Sequence, residues 1–253
     1  MRKTPNIAAV ITGAASGLGY ATAKRIVADN GKVVILDIDD VAGMLAQKRL
    51  GANALFVKTD VTQEDQVDAA VLRASSFLSG INLAVNCAGV APSQLILGKE
   101  KRMSTAEFAR VVTINLVATY SVIRAVANSM QQNEADIDGQ RGVIVNTSSI
   151  AAYDGQAGQS AYASSKGGVA SLTLPLAREF ARFGIRVMTI APGLFKTPLF
   201  DRLPNKAIES LIATIPFPKR VGDPDEFAQT VLHIYHNPLL NGSTIRLDSA
   251  LRM

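Results

Sequence analysis

Short apolar runs and amphipathic helical patterns alternate along nearly the whole chain. A continuous apolar run such as Ile7–Ile11 is typical of a strand that is buried on both faces. Strands that alternate with helices predict a parallel sheet with right-handed crossovers and helices on both faces. The chain has 253 residues, a usual length for one such domain, so we expect a single α/β domain over residues 1–253. The expected strands are 7–11, 32–36, 54–58, 81–85, 143–148, 185–190 and 244–247, and the expected helices are 17–30, 40–49, 63–78, 104–130, 159–183 and 223–237.

Polar residues and glycines follow the predicted strands. In open parallel sheets, ligands bind beyond the carboxyl ends of the strands. Several residues of types that commonly bind ligands fall at such ends. The shared position of these independent residues is stronger evidence for a binding site than any single motif. These residues are Asp37, Asp60, Asn86, Gly89 and Ser149.

The first predicted strand runs directly into a glycine-rich turn and then a helix. The turn reads Thr12-Gly-Ala-Ala-Ser-Gly-Leu-Gly19. Glycines let the backbone approach a pyrophosphate closely, and a helix N-terminus offers free N–H groups and the positive end of the helix dipole. A turn that only packs tightly would have the same composition. Because the strand and the helix are both in place, the sequence predicts a dinucleotide site that includes Gly13, Gly17 and Gly19.

Asp37 ends the second predicted strand, eighteen residues after Gly19. An acidic residue at about this spacing binds the ribose hydroxyls of the adenosine. Its charge would repel a 2′-phosphate, and Ser16 puts no basic residue in the glycine turn to receive one. The sequence therefore favours NAD over NADP. The alternative role of Asp37 is to cap the helix at 40–49.

Tyr162 and Lys166 are four residues apart in a predicted helix, so their side chains share one face. An ammonium near a phenol favours the phenolate, so we expect Lys166 to lower the pKa of Tyr162 toward neutrality. Tyr162 would then serve as proton donor and acceptor for an alcohol or a carbonyl. Ser149, at the end of the preceding strand, is placed to hydrogen-bond the same substrate oxygen. For this pair alone, the alternative is a solvated lysine beside a packed tyrosine.

Three further features leave alternatives open. Asn115, inside the predicted helix 104–130, either points to solvent or has a polar role. The loop at 92–103 carries Lys99, Lys101 and Arg102, which form either a solvated loop or the rim of a site for an anionic substrate. The stretch 194–217 mixes prolines with apolar residues, and we interpret it as a mobile lid over an apolar pocket rather than ordinary surface packing.

Composition limits the classes of function. The net charge of +5 permits an anionic partner, but no basic stripe with interleaved aromatic residues points to nucleic acid. No run of about 18 apolar residues indicates a membrane span, and the apolar run after the basic start is too short for a signal peptide. The single cysteine, Cys87, excludes an internal disulfide and suits a reducing compartment. We expect a cytoplasmic protein with a small-molecule substrate and no metal, nucleic acid or membrane partner.

Six motifs occur in one order along the chain: Thr12-Gly13-x-x-x-Gly17-x-Gly19, Asn86-Cys-Ala-Gly89, Asn115, Ser149, Tyr162-x-x-x-Lys166 and Pro192-Gly193. In this order they resemble the short-chain dehydrogenase/reductase family. The resemblance implies a Rossmann-type, doubly wound parallel sheet of seven strands. It also implies a catalytic tetrad of Asn115, Ser149, Tyr162 and Lys166.

The same resemblance implies a role for each member of the tetrad. Tyr162 is the general acid/base, and Ser149, rather than its neighbour Ser148, steadies the substrate oxygen. Lys166 lowers the pKa of Tyr162 and holds the nicotinamide ribose, while Asn115 fixes a water that links Lys166 to solvent. The implied contacts to NAD are Gly13, Ser16, Gly17, Leu18, Gly19, Asp37, Asp60, Val61, Asn86, Ala88, Gly89, Tyr162, Lys166, Pro192, Gly193, Leu194 and Thr197.

Within the family, four further stretches are similar to members that oxidise L-3-hydroxyacyl-CoA with NAD and also accept steroids. These stretches are 140–147, 155–159, 186–195 and 245–248. The similarity implies a homotetramer with helices 104–130 and 159–183 at one interface, and substrate contacts from Ser149, Gln156 and Tyr162. The start of the chain lacks the leader of mitochondrial members, which favours a cytoplasmic protein. The alternatives are a steroid or other alcohol dehydrogenase, a 3-oxoacyl-carrier-protein reductase and a non-catalytic NAD-binding scaffold.

Overall fold

The strands of the computed structural model, which describes residues 6–98, 102–198, 200 and 205–253, form one parallel sheet. Within these residues there are seven strands, in the order β3-β2-β1-β4-β5-β6-β7. Their bounds are β1 Ala8–Thr12, β2 Lys32–Asp37, β3 Ala54–Lys58, β4 Leu83–Asn86, β5 Gly142–Thr147, β6 Ile185–Pro192 and β7 Thr244–Leu247. The predicted seven-stranded, doubly wound sheet is confirmed.

Helices cover both faces of the sheet. The described α-helices are α1 Gly17–Ala28, α2 Asp40–Leu50, α3 Glu64–Leu78, α4 Thr105–Val112, α5 Ala118–Met130, α6 Ala151–Asp154, α7 Ser160–Phe180, α8 Asn205–Ala213 and α9 Pro224–His236. The predicted continuous helix at 104–130 is wrong in one respect, because a π-helical turn at Thr113–Val117 separates α4 from α5. The predicted helix 159–183 is α7 followed by a 3₁₀ turn at Ala181–Phe183.

The core consists of two apolar layers, one on each face of the sheet. Successive side chains of a strand point to opposite faces. On β1, Ile11 therefore packs in the layer that contains Phe227 of α9, whereas Val10 packs in the layer that contains Val126 of α5. Both faces of the strand are buried, which explains why its sequence is continuously apolar rather than alternating.

The strand order reverses at β1, which pairs with β2 on one side and β4 on the other. Thr12 is in register with Leu36 and with Asn86, and Asn86 is in register with Asn146. The carboxyl ends of these central strands are therefore level at one edge. A reversal of this kind opens a crevice beyond the strand ends, where ligands of such sheets bind.

One described helical run meets the length and composition criteria for a membrane span. It is Thr105–Met130, with a mean hydropathy of 1.3, and half of the scored window is buried inside the protein. This run was not identified from the sequence, where no stretch of this kind was expected. The buried face of this run packs in the core, as with Val122 and Val126, and a core helix of a soluble protein meets the same criteria.

Candidate active site

The glycine turn between β1 and α1 lies against the end of β4. Gly13 has a φ of +62°, and a Cβ at this position would lie 2.8 Å from the backbone N of Ala88. A side chain is therefore excluded by both the backbone conformation and the space. Ser16 occupies the N-cap of α1 without a side-chain capping hydrogen bond. The turn is thus a backbone cradle that ends at a helix N-terminus.

Asp37 directs its carboxylate at this cradle. Its Oδ2 accepts a hydrogen bond from the backbone N of Ala15 at 3.0 Å, and its Oδ1 accepts one from the backbone N of Asp39 at 3.1 Å. The N-cap of α2 is Asp39, whose side chain accepts from the backbone N of Ala42. The alternative capping role of Asp37 is therefore wrong, and its negative charge lies beside the glycine turn.

Asp60 and Val61 follow β3 on the same side of the sheet. Oδ1 of Asp60 accepts hydrogen bonds from the hydroxyl of Thr62 at 2.7 Å and from its backbone N at 3.0 Å. Val61 is partly buried and packs against the core layer that contains α3. Both residues are thus held in a defined turn at the edge of the crevice.

Thr12 joins the ends of β1 and β4, a role that the sequence analysis did not assign to it, although Thr12 begins the glycine motif. Its Oγ1 accepts hydrogen bonds from the backbone N–H groups of Cys87 and Ala88, each at 3.2 Å. One strand further, Nδ2 of Asn86 donates to Oδ1 of Asn146 at 2.9 Å. The sequence signal that could have indicated this role of Thr12 is a threonine at the last position of a buried strand. These bonds fix the position of the Ala88–Gly89 backbone beside the glycine turn.

Asn115 lies in the π-helical turn and is fully buried. Its Oδ1 accepts from the backbone N of Val90 at 2.8 Å, and its Nδ2 donates to the carbonyl of Val90 at 2.9 Å and to Oγ of Ser165 at 3.0 Å. The polar role is therefore correct, and the solvent-exposed alternative is wrong. Asn115 ties the loop after β4 to α7, and π-turns are frequent at functional sites.

Tyr162 and Ser149 meet beyond the end of β5. The Ser149 side chain interacts with the Tyr162 hydroxyl closely enough to lower its pKa against the effect of burial, and the Ser149 Oγ accepts a hydrogen bond from the backbone N of Ala151 at 3.1 Å. Ser148 is directed elsewhere, because its hydroxyl donates to the carbonyl of Lys166 at 2.7 Å. The structure thus pairs Tyr162 with Ser149, as the spacing favoured.

Burial decides the acidity of Tyr162 and Lys166. Burial raises the pKa of Tyr162, and the hydrogen bond from Ser149 opposes this rise. Nζ of Lys166 lies 6.0 Å from the centre of the Tyr162 ring and donates to the carbonyl of Thr147 at 2.8 Å. The expected lowering of the Tyr162 pKa by Lys166 is therefore wrong for this arrangement. Burial instead lowers the pKa of Lys166 itself to about 8.

Cys87 lies close to this pair. Its Sγ accepts a hydrogen bond from the hydroxyl of Thr147 at 3.5 Å. Burial raises the pKa of the thiol to about 11, while Thr147 and Lys166 act in the opposite direction. The thiol is therefore neutral at physiological pH and behaves as a small buried side chain.

Residues 192–197 bring the segment after β6 to the glycine turn. The backbone N of Gly193 donates to the carbonyl of Leu247 at 2.9 Å, and the backbone N of Gly222 donates to the carbonyl of Leu194 at 2.8 Å. The methyl carbon of Thr197 lies 3.5 Å from the position of a Cβ built on Gly17. Thr197 therefore lies over the cradle, at the start of the predicted lid.

The predicted substrate rim is described only in part. Gln156 is exposed, and its backbone N donates to Oε1 of Gln159 at 3.0 Å. Nε of Arg102 donates to the carbonyl of Gly98 at 2.8 Å. Lys99 and Lys101, together with Leu199 and Leu203 of the predicted lid, lie outside the described residues.

The residues present fit a dinucleotide with a nicotinamide. The cradle excludes a Cβ at Gly13, the carboxylate of Asp37 lies at its adenosine side, and Thr197 covers Gly17. A Cβ at Gly89 would lie 3.0 Å from Oδ1 of Asn115 and 3.5 Å from Nζ of Lys166. These residues lie along one edge of the sheet, from Asp37 past the glycine turn to Lys166, Tyr162 and Ser149.

Comparison with known protein families matches residues 7–207 to the family described as short chain dehydrogenase. The chain belongs to the short-chain dehydrogenase family. As a member of this family, it is an oxidoreductase that uses a nicotinamide cofactor.

Two relatives of this short-chain dehydrogenase are named 3-hydroxyacyl-CoA dehydrogenase type-2. The human 3-hydroxyacyl-CoA dehydrogenase type-2 is 50% identical over 254 residues, which cover 100% of this chain and 97% of the human protein. A crystal structure of the 3-hydroxyacyl-CoA dehydrogenase type-2 from Mycobacterium avium is 40% identical, with a TM-score of 0.93 over 100% of this chain and 98% of that one.

A second similar structure contains a cofactor. It is a 3-ketoacyl-(acyl-carrier-protein) reductase from Brucella melitensis complexed with NADH. This reductase is 30% identical, with a TM-score of 0.84, and the match covers 96% of each chain. The similarity of this chain to solved structures of the family therefore extends over nearly its whole length.

Proposed function

We propose that this chain interconverts 3-hydroxyacyl-CoA and 3-oxoacyl-CoA with NAD. The observation that carries the proposal is the meeting of Tyr162, Ser149 and Lys166 at the edge of the crevice. Full-length relatives named 3-hydroxyacyl-CoA dehydrogenase type-2, at about half identity, favour this substrate class within the family. The bound nicotinamide supplies the hydride acceptor for oxidation and the hydride donor for reduction.

The residues of the chain have distinct tasks in this proposal. Tyr162 takes the proton of the substrate hydroxyl during oxidation and returns it to the carbonyl oxygen during reduction. Ser149 holds that oxygen through a hydrogen bond and so stabilises charge that develops on it. Lys166 holds the end of β5 against α7 and places a positive charge near the ring of Tyr162.

The preference for NAD rests on Asp37. Its carboxylate lies beside the glycine turn and forms a hydrogen bond with the backbone N of Ala15. A 2′-phosphate at this position would meet a negative charge, whereas ribose hydroxyls can donate to it. Asp39 and Asp40, both exposed, add negative charge at the same end of β2.

We further propose a homotetramer in the cytoplasm. Apolar side chains are exposed on the helices expected at one interface, among them Phe108 of α4, Val117 in the π-turn, Tyr120 of α5 and Leu174 of α7. Large exposed apolar groups of this kind are typical of contact surfaces between proteins. The single cysteine is compatible with a reducing compartment.

The deciding experiment measures oxidation of NADH by the purified protein with acetoacetyl-CoA, beside an identical assay with NADPH. We expect rapid turnover with NADH and little with NADPH. Tight NADH binding without turnover of acetoacetyl-CoA would contradict the substrate and favour a steroid or alcohol dehydrogenase. A clear preference for NADPH would contradict the role of Asp37 and favour a carrier-protein reductase.

A further inference from the structure

The guanidinium of Arg246 binds three residues in two segments, the turn after Ser149 and the segment 248–253. Its Nη2 donates to Oδ2 of Asp154 at 2.5 Å and to the carbonyl of Leu251 at 3.2 Å, and its Nε donates to Oδ2 of Asp248 at 2.6 Å. The side chains of Arg246 and Asp154 are only 25% and 20% exposed. The planar fork of an arginine is suited to such simultaneous contacts, which a lysine cannot reproduce.

Asp154 lies at the far end of the turn that begins with Ser149. Within this turn, the backbone N of Asp154 donates to the carbonyl of Ile150 at 2.9 Å, and the backbone N of Ala151 donates to the Ser149 hydroxyl oxygen at 3.1 Å. The near end is held by the backbone N of Ile150, which donates to the carbonyl of Pro192 at 3.1 Å. Because Arg246 holds the far end, the turn is attached at both ends.

Both attachments lead to the same pair of strands. Arg246 is in register with Ala191, and Leu247 is in register with Pro192, so the arginine backbone is fixed to β6. The ring of Tyr153, which precedes Asp154, lies 5.2 Å from the Arg246 guanidinium. The far end of the Ser149 turn is therefore attached to β7 by the side chain of Arg246, and Nε of Arg252 lies 4.0 Å from the same Asp154 oxygen.

The contact also reaches the predicted lid. Leu251, whose carbonyl Arg246 binds, packs in one apolar cluster with Ile150 and Ile215. Ile215 lies near the end of the lid stretch 194–217, and Ile150 follows Ser149 directly. One guanidinium thus links the turn that carries Ser149, the segment 248–253 and the base of the lid.

We propose that Arg246 is a positioning residue. Through Asp154 it holds the turn that carries Ser149, and it thereby keeps the Ser149 side chain beside the hydroxyl of Tyr162. This inference rests on the proposed function, because it treats Ser149 and Tyr162 as the groups that act on the substrate. Reaction rates depend steeply on such placement, since a shift of about 1 Å can lower a rate about 100-fold.

The test uses two variants of this pair and two matched controls. Asp154→Asn and Arg246→Gln each remove one charge of the pair while they keep a polar side chain. Asp225→Asn and Arg25→Gln do the same to the more exposed pair that joins α1 to α9. We expect kcat with acetoacetyl-CoA to fall between about tenfold and about 100-fold in the first two variants, with unchanged NADH affinity. The controls should keep the wild-type kcat, and Arg246→Lys should recover only part of it.

A second readout needs no substrate. The hydrogen bond from Ser149 lowers the pKa of Tyr162 against the effect of burial, so a displaced Ser149 should raise that pKa. The chain has five tyrosines, so subtracting the phenolate absorbance titration of Tyr162→Phe isolates the signal of Tyr162. We expect a higher pKa for Tyr162 in Asp154→Asn and in Arg246→Gln and no change in the controls.

The outcomes separate this inference from the proposed function. If the wild type does not reduce acetoacetyl-CoA, the substrate proposal fails, and the titration still tests the positioning. An unchanged Tyr162 titration in Asp154→Asn, or an equal change in the controls, would overturn the role of Arg246. If Arg246→Gln loses its circular dichroism signal at ordinary temperature, the near-isosteric Asp154→Asn decides alone.

Discussion

The ammonium of Lys166 donates a hydrogen bond to the carbonyl oxygen of Thr147 at 2.8 Å, and this bond attaches α7 to the end of β5. The hydroxyl of Ser148 donates back to the carbonyl of Lys166 at 2.7 Å, so the two elements are joined twice. Lys166 is only 5% exposed, and burial lowers its pKa to about 8. The site therefore contains a buried lysine whose charged form is less favourable than it would be in solvent.

This burial predicts that the free energy of unfolding of the wild type rises relative to that of Lys166→Met as the pH increases from 8 to 10.5. The pKa of Lys166 falls from 10.5 in a solvated chain to about 8 in the folded one. Between these pH values the unfolded chain binds more protons, so the Lys166 contribution to the free energy of unfolding rises with pH. Across this range the difference between the two proteins should change by about 3 kcal/mol or less in favour of the wild type, while the loss of the donor to the Thr147 carbonyl affects Lys166→Met at every pH.

Urea unfolding at a series of pH values measures this difference. The matched control is Lys24→Met on the exposed face of α1, which should show no such dependence on pH. A stability difference between Lys166→Met and the wild type that stays constant across the range would contradict the prediction. The same variant should lose most of its turnover, because the charge near Tyr162 is gone.

Tyr162→Phe should lower kcat by about 10²-fold to 10⁴-fold, the usual contribution of a general acid/base. The substitution removes one hydroxyl and leaves the ring in place, so NADH affinity and melting temperature should stay close to those of the wild type. Steady-state kinetics with acetoacetyl-CoA, together with NADH fluorescence titration, measures both. The control is Tyr120→Phe on α5, where the tyrosine is half-exposed. A Tyr162→Phe variant with most of its turnover intact would remove this residue from the proposed mechanism.

Asp37→Asn should shift the cofactor preference toward NADPH. The change removes a negative charge beside the glycine turn and keeps an acceptor oxygen for the backbone N of Ala15. Unit charges about 4 Å apart near a protein surface interact by about 4 kcal/mol, so the ratio of kcat/KM for NADH to that for NADPH should fall at least about tenfold. The control is Asp29→Asn, at the exposed C-cap of α1. If both variants keep the wild-type ratio, Asp37 does not select the cofactor.

Arg186→Met should destabilise the fold without changing the chemistry of the site. Arg186 is buried on β6 and donates to the carbonyl oxygens of Ile234, Tyr235 and Leu240. Each buried acceptor left without a partner costs about 1–3 kcal/mol, so the free energy of unfolding should fall by about 3 kcal/mol or more. Urea unfolding, beside the exposed control Arg49→Met, tests this. A loss as small as in the control would mean that the carbonyls find other partners.

Parts of the site could be predicted because they depend on local sequence. The glycine turn lies between a strand and a helix, and the order of strands and helices puts Asp37, Asn86 and Ser149 at one edge of the sheet. The spacing of Tyr162 and Lys166 follows from helix geometry. The roles of these residues in catalysis and cofactor binding stay predictions until the variants above are measured.

Other features depend on contacts between distant parts of the chain. The N-cap of α2 is Asp39, whereas the carboxylate of Asp37 accepts a hydrogen bond from Ala15, 22 residues earlier in the sequence. The π-turn at Asn115 cannot be read from the apolar periodicity of the helix. The contact of Arg246 with Asp154 joins residues 92 positions apart, and only the register of β7 on β6 brings them together.

The sequence by itself determined the sheet, the crossovers and which polar residues end the strands at one edge, because apolar periodicity and glycine placement act within a few residues. Only the tertiary structure decided the acidity of the site. The pKa of Tyr162 is raised rather than lowered, because burial by distant segments removes solvent from its hydroxyl, and the ammonium of Lys166 is engaged by Thr147. Desolvation depends on which segments pack together, and spacing along the chain does not contain that information.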